Sequence, residues 1–188
     1  IKELKSLRNK ITAGISIHHL LFDETDINNY RTFFKLSPPL RSKSDKLFIL
    51  QNINDNTIDT ISSFHLPQDE ESKRLPFERA AFGAIGLQTL LPACLKLVHD
   101  KILDLPLLFK KISLNPAKIL NIKSGALEEG YPADLVLFDP KKPFLVDRFS
   151  LLSKAKNTPF DGYKLYGEVL KTFVRGKEIF KSRNISDT

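Results

Sequence analysis

The stretch of sequence that decides the fold is SDKLFILQNINDNTIDTISSFHLPQD, residues 44–69. Its first half carries leucine and isoleucine at helical spacing, which predicts a helix from Asp45 to about residue 54 with Ser44 as its cap. Its second half contains a β-branched run, residues 57–62, which predicts a strand. An alternating segment at residues 15–18, ISIH, predicts an earlier strand. This order of strand, helical connection and strand implies two parallel strands joined by a crossover.

The pattern changes near residue 124. Before it, further helices are predicted over residues 85–99, from Asp104 and from Asn115. Beyond Gly125, short apolar runs separated by glycine and proline predict strands, and Arg175-Gly176 is typical of a β-hairpin turn. We therefore divide the chain into an α/β part, 1–124, a mostly β part, 125–181, and a loose tail, 182–188.

Composition restricts the classes of function. The chain has 188 residues, 41% of them hydrophobic and 27% charged, which is typical of a globular protein. The net charge of +7 comes from scattered lysines and arginines without a nucleic-acid-binding motif, so we expect no nucleic-acid partner. No apolar run approaches 18 residues, so we expect no membrane association. The lone Cys94 excludes an internal disulfide, which favours the cytoplasm, and its apolar helical setting predicts a small buried hydrophobe.

The chain contains no methionine. A complete translation product begins with this residue, so we expect a chain that was trimmed at its start or that is a piece of a longer protein.

Polar side chains cluster where the two predicted strands end. Enzymes of the α/β class place their chemistry at the C-terminal ends of parallel strands. One hypothesis is a metal site formed by His18, His65 and Asp69. His18 and His19 are adjacent, so on a strand at most one of them would face such a site. The alternative is that these histidines are structural and form hydrogen bonds with the backbone.

Four segments carry a family resemblance. They occur in the order seen in dihydroorotases, and the chain resembles the C-terminal part of a dihydroorotase of the cyclic amidohydrolase superfamily, nearest an α-proteobacterial branch. The resemblance extends from about Thr12 to Phe180. The segments are HHLLFDETDINNYRTFFKLSPPLR (18–41), NTIDTISSFHLPQD (56–69), KRLPFERAAFGAIGLQTLLP (73–92) and NPAKILNIKSGALEEGYPADLVLFDP (115–140).

This resemblance implies a fold and an activity. The family fold is a metal-dependent (β/α)8 TIM barrel with a small β-sandwich domain, and a barrel needs about 250 residues. The chain would therefore hold the last two βα units, with strand seven ending at His18 and strand eight near Ser63. The family enzyme interconverts carbamoyl aspartate and dihydroorotate in pyrimidine biosynthesis, using a zinc-activated hydroxide and a carboxylate that moves the proton.

The resemblance also assigns roles to individual positions. Most metal ligands of the family would lie before Ile1, so we expect no zinc to bind this chain alone. The catalytic aspartate of the family is matched by Phe64, which can neither bind a metal nor carry a proton. Substrate-binding positions of the family are matched by Ser37, Gln68, Phe82 and Gly83.

Two hypotheses of function follow from the resemblance. In the first, the chain is part of a dihydroorotase that acts on a small pyrimidine precursor once an N-terminal half is supplied, with Asp69 or Asp23 replacing the lost carboxylate. In the second, it is a non-catalytic partner of aspartate transcarbamoylase or a degenerate gene remnant. We expect the chain alone to be inactive. We also expect it to be poorly soluble, molten or oligomeric, because two barrel strands alone leave unpaired edges.

Overall fold

Two separate β-sheets organise the chain. The computed structural model describes residues 1–7, 11–55 and 57–182. Strands β1, Gly14–Ser16, and β2, Thr60–Ser62, run parallel, with Ile15 opposite Ile61. The second sheet is antiparallel in the order β3-β4-β5, with β3 at Leu135–Leu145, β4 at Lys164–Val174 and β5 at Lys177–Lys181. The predicted parallel pair is therefore confirmed.

Short helices connect and cover the strands. A π-helical turn, Lys110–Leu114, joins the sixth helix to the seventh. No helix within the described ranges has the length and apolar character that crossing a membrane requires. The helices are α1 (Lys2–Leu7), α2 (Ile17–Leu21), α3 (Lys43–Gln51), α4 (Glu70–Arg74), α5 (Leu90–His99), α6 (Leu105–Phe109) and α7 (Asn115–Ile119).

The first strand is shorter than its sequence predicts. It ends at Ser16, because the Ser16 side chain accepts a hydrogen bond from the backbone N–H of His18 and so caps α2. His18 and His19 therefore lie on a helix and not at a strand end, and the prediction that they point to opposite faces of a strand is wrong. His18 is buried and His19 is partly exposed.

Two helix boundaries also differ from prediction. Ser42, not Ser44, caps α3, because its hydroxyl accepts the hydrogen bond from the N–H of Asp45. Helix α5 begins at Leu90 rather than near residue 85. The N–H groups of residues 85–87 bond the Asn157 carbonyl and the His65 ring, so they are not available for a helix.

One hydrophobic core lies between α2, α5 and the segment before β4. Cys94 is fully buried in it, and burial raises the pKa of its thiol to about 12, which confirms the predicted role as a small hydrophobe. Aromatic contacts extend the core, with the rings of Phe22 and Phe160 at 5.0 Å. Other members of this core are Ile17, Leu20, Ile61, Ala93, Leu97, Val146 and Leu165.

The antiparallel sheet packs against α5 through a glycine. Gly167 on β4 has a φ of +108°, and a Cβ there would overlap the Leu95 side chain. The predicted β-hairpin is confirmed, because Arg175 and Gly176 both have positive φ between β4 and β5, as a type I′ turn requires. The predicted loose tail falls on residues 183–188, which lie outside the described residues, and on Ser182, whose N–H donates to Leu170.

The contact between β4 and α5 predicts a clear stability effect. Gly167→Ala should lower the free energy of unfolding by about 3 kcal/mol, because it adds overlap with Leu95 to the backbone strain of a positive φ. Gly162→Ala is the matched control, because Gly162 also has a positive φ but no atom near its Cβ position, so only about 1 kcal/mol of strain applies. Urea unfolding measures both, and equal losses would contradict the packing argument.

Candidate functional site

A cavity of about 250 Å³ lies where β1 and β2 end. Six of the residues singled out in the sequence line it, together with Ser16 and a few apolar neighbours. Gln68, Asp69 and Phe82 do not line it. The residues that the fold brings together here are His18, His19, Ser37, Phe64, His65 and Gly83.

His18 is buried at the base of this cavity. Its Nδ1 lies 3.1 Å from the hydroxyl of Ser16, and its Nε2 has no hydrogen-bond partner among the described residues. Burial, and then the neighbouring His19, lowers the pKa of His18 to about 4. The imidazole is therefore neutral at neutral pH, and its ring stacks on Phe160 at 5.5 Å.

His19 and His65, the other two histidines that line the cavity, form hydrogen bonds with backbone groups, as the structural hypothesis predicted. The Nδ1 of His65 accepts hydrogen bonds from the N–H groups of Gly86, at 3.1 Å, and Leu87, at 3.4 Å. A ring nitrogen that accepts an N–H carries no proton, so Nε2 is the donor nitrogen of the His65 ring. The Nε2 of His19 donates to the carbonyl of Pro38 at 3.0 Å.

Phe64 stands in an unusual backbone conformation. Its φ is +43°, in the left-handed region that costs a residue with a Cβ roughly 1–2 kcal/mol. The ring is 49% exposed and lines the cavity. Position 64 therefore presents an aromatic surface to the cavity and no ionisable group.

One buried side chain connects the loops around the cavity. Asn157 is only 2% exposed, and its Nδ2 donates to the carbonyls of Leu66, at 3.3 Å, and Gly83, at 3.1 Å. Its Oδ1 accepts from the N–H of Gln68 at 3.3 Å. The Gln68 side chain in turn donates to the Phe82 carbonyl at 2.8 Å. The loop after β2 and the segment around Gly83 are thus held as one unit.

Two buried lysines form hydrogen bonds that hold the segment preceding Gly83. The Lys35 ammonium donates to the carbonyls of Phe77 and Glu78 at 2.7 and 2.8 Å and lies 4.6 Å from the centre of the Phe82 ring. The Lys73 ammonium donates to the carbonyls of Thr32 and Ala81. Burial, and then the charge of Lys35, lowers the pKa of Lys73 to about 8. Both lysines therefore fix the loop 73–82.

Sequence reasoning missed these supporting residues. Asn157, Lys35 and Lys73 are polar residues in polar or mixed segments, and such residues are usually solvated. Their burial depends on contacts with segments up to 91 residues away in the chain. No local pattern in a single sequence carries that signal.

Asp23 and Asp69, the two aspartates considered as replacement carboxylates, cap helices and do not line the cavity. Asp23 forms an ion pair with Lys46 at 2.6 Å and caps a short 3-10 helix, Glu24–Ile27. Burial raises the pKa of Asp23, but hydrogen bonds from Lys46 and Thr25 outweigh it, so the pKa lies below its ordinary value. Asp69 caps α4, and the Ser72 N–H holds its pKa below the usual range.

The residues present do not fit a zinc ion. Within residues 1–7, 11–55 and 57–182, no three His, Cys, Asp or Glu side chains are grouped as a metal site requires. The metal hypothesis of His18, His65 and Asp69 therefore fails on geometry, since Asp69 does not line the cavity that the two histidines share. The cavity is instead lined by imidazole, hydroxyl and aromatic side chains.

The cavity lies at the C-terminal ends of two parallel strands, where proteins of the α/β class place their ligand sites. The sequence profile of the amidohydrolase family matches residues 80–179, more than half of the chain, and the chain belongs to this family. The resemblance to dihydroorotases is also confirmed. The dihydroorotase of Ehrlichia canis (strain Jake) is 36% identical over 186 residues, and that of Syntrophus aciditrophicus (strain SB) is 39% identical over 181 residues.

The matches cover nearly all of this chain but less than half of each relative. The alignments include 98% and 96% of the chain and 42% of either dihydroorotase. Among solved structures, L-hydantoinase (dihydropyrimidinase) from Arthrobacter aurescens superimposes with a TM-score of 0.91 and 28% identity, over 96% of this chain and 42% of that one. The α/β fold is therefore that of the cyclic amidohydrolases.

The Asn157 network predicts a large loss of stability on truncation. Asn157→Ala should lower the free energy of unfolding by about 3 kcal/mol, because it leaves two carbonyls and one N–H unpaired in a buried position. Asn54→Ala is the control, since that exposed amide makes a single bond, to Ile102, and should cost less than about 1 kcal/mol. Similar losses in the two variants, measured by urea unfolding, would refute this role.

The buried imidazole predicts a dependence of stability on pH. His18 has a folded pKa of about 4 and an ordinary unfolded pKa, so between about pH 4 and 6.5 the unfolded chain binds more protons. Its contribution is complete above that window and is lost as the pH falls, by about 3 kcal/mol in all. His18→Gln should remove the slope of unfolding free energy between pH 5 and 6.5, and His99→Gln, on an exposed residue, should keep it.

Proposed function

We propose that this chain is a dihydroorotase-like unit that supplies part of a substrate cavity for the interconversion of carbamoyl aspartate and dihydroorotate. The observation that carries the proposal is the cavity at the ends of β1 and β2, lined by His18, Ser37 and Phe64. These residues lie in segments that align with curated dihydroorotases. In this proposal β1 and β2 are the seventh and eighth strands of a (β/α)8 barrel, and residues 125–181 are a share of the β-sandwich domain.

Within this proposal the matched substrate positions divide into two groups. Ser37 makes no side-chain hydrogen bond within the described part of the chain, so its hydroxyl is available to a ligand. The polar groups of the other three positions are already hydrogen-bonded. The Gln68 side chain donates to the Phe82 carbonyl. The Gly83 carbonyl accepts from Asn157, and its N–H donates to the Lys35 carbonyl. We therefore assign a binding role to Ser37 and a shaping role to the other three.

The same proposal makes the isolated chain inactive. Hydrolysis of a cyclic amide by this family requires a metal-activated hydroxide and a proton-transferring carboxylate. The chain offers Phe64 at the carboxylate position, and Asp23 and Asp69 are committed to caps. An N-terminal half, from the same or another chain, would have to supply the metal centre.

A non-catalytic role is the second candidate. Phe64 favours it, because an aromatic residue at that position removes the chemistry while leaving the surrounding loops in place. Exposed apolar side chains on both faces of the second sheet, such as Val136, Leu137 and Ile179, also leave apolar area available to a partner. In this role the chain would support aspartate transcarbamoylase in the cytoplasm. The predicted self-association has a different basis, the unpaired edges of the two barrel strands.

Metal content and turnover test the proposal together. The purified 188-residue chain, loaded with zinc and desalted, should retain far less than one zinc per chain and should not hydrolyse dihydroorotate. Phe64→Asp should not restore activity, because a single carboxylate does not form a metal site. Stoichiometric zinc with turnover by the unmodified chain would overturn the proposed inactivity. If zinc and turnover are both absent, binding of aspartate transcarbamoylase to the immobilised chain would support the non-catalytic role. No binding would support a gene remnant without a role.

A further inference from the structure

A second cavity, of about 430 Å³, shares no lining residue with the cavity at the ends of β1 and β2. One wall is formed by residues 25–34 and the other by Tyr163, so both walls belong to this chain. Its volume falls within the range of about 300–1,000 Å³ that is usual for ligand pockets. We call it the polar cavity, because its lining includes the side chains of Asp26, Asn28, Asn29 and Arg31.

Arg31 supplies a positive charge to the polar cavity. A guanidinium group is always protonated in proteins, so Arg31 is a cation. It lies 3.4 Å from the carboxylate of Asp161, which also forms an ion pair with Arg148 at 3.8 Å. One carboxylate shared between two guanidinium groups leaves a net positive charge beside the cavity.

Asp26 supplies a negative charge to the same cavity. Its Oδ2 accepts the Asp23 N–H at 2.8 Å, which fixes the carboxylate in the first turn of the short 3-10 helix, Glu24–Ile27. Asp26 and Arg31, both in the described part of the chain, line one cavity but form no ion pair with each other. A ligand with one anionic and one cationic group would therefore find an opposite charge for each of them.

Neutral polar groups lie beside the two charges. The side-chain amides of Asn28 and Asn29 form no hydrogen bond with any residue that the structure describes, so they are available as donors and acceptors. Burial raises the pKa of the Tyr163 phenol, the charge of Asp26 raises it further, and the charge of Arg31 lowers it in part. Both charges therefore act at the same phenol group.

Two aromatic rings give the polar cavity an apolar surface. Phe34 and Tyr163 both line it, and both rings pack against Phe22, with centroid distances of 5.0 and 5.4 Å. These edge-to-face contacts hold the two rings in place before any ligand arrives. An apolar group of a ligand would therefore gain buried contact with a preformed surface.

We propose that the polar cavity binds a zwitterionic α-amino acid with an apolar side chain, its carboxylate on Arg31 and its ammonium group on Asp26. In an α-amino acid the side chain branches from between the two charged groups, so it can contact the rings while both charges are paired. A guanidinium group binds a carboxylate through two parallel hydrogen bonds, which adds specificity to charge. The inference is independent of the proposed function, because the two cavities have no lining residue in common.

Isothermal titration of the intact 188-residue chain with four related ligands tests the inference. The probes are L-leucine, N-acetyl-L-leucine, L-leucinamide and glycine. Leucine should bind at least about tenfold more tightly than N-acetyl-leucine, which lacks the cationic group, and than leucinamide, which lacks the carboxylate. Glycine should also bind more weakly than leucine, because it has no side chain to place against the aromatic rings.

Substitution of the two arginines separates ligand binding from the local ion pairs. Arg31→Gln should weaken leucine binding by about tenfold or more. Arg148→Gln is the matched control, because it also removes an ion pair with Asp161 but falls outside the cavity lining, and leucine binding should stay within about threefold. Asp26→Asn keeps an acceptor for the Asp23 N–H and should remove most of the preference for leucine over N-acetyl-leucine. Circular dichroism checks that each variant is folded.

Each possible result bears on a separate part of the inference. N-acetyl-leucine or leucinamide binding as tightly as leucine would overturn the requirement for two charges. Equal weakening in folded Arg31→Gln and Arg148→Gln variants would overturn the role of Arg31. No binding of leucine at millimolar concentration would overturn the inference as a whole and leave the dihydroorotase-like proposal standing.

Discussion

The side-chain amide of Asn157 is the interaction on which the arrangement of the cavity depends. Its two donors and one acceptor connect the loop after β2 to the segment around Gly83, and its own carbonyl accepts from the N–H of Ile85. Strand pairing alone would not do this, because β1 and β2 are only three residues long. A fully buried amide is favourable only when its polar atoms are paired, so this geometry is specified sharply.

The pairing of β1 with β2 was predictable from the sequence. The residues at which β1 ends and α3 begins were not. Apolar spacing and β-branching in residues 44–69 indicate helix and strand wherever a core covers them. The boundaries depend on which serine reaches which N–H group. Ser42 and Ser44 are both able to cap α3, and only the approach of the chain decides for Ser42. The same competition, won by Ser16, ends β1 before His18.

The residues that line the candidate site were predictable from the sequence. Their hydrogen bonds and the protonation of His18 were not. His18, at the start of α2, meets Phe64 and His65 because the segments that follow two paired parallel strands meet, which is a property of the topology. Ser37 reaches the same cavity from the loop before α3. Protonation depends on details that no spacing encodes. His18 is neutral because of its burial, and the Nδ1 of His65 is an acceptor because two backbone N–H groups from a segment about twenty residues away point at it.

The left-handed backbone conformation of Phe64 is maintained by the residues around it. A phenylalanine gains nothing from a left-handed backbone, which asparagine or aspartate tolerates better. The conformation persists because the two residues that follow it are held in place: the Leu66 N–H donates to the Ala84 carbonyl, and the His65 ring accepts from the Gly86 N–H. The cavity beside it therefore has a fixed wall, with the half-exposed Phe64 ring on a loop that Asn157 and the Gly86 N–H hold in place.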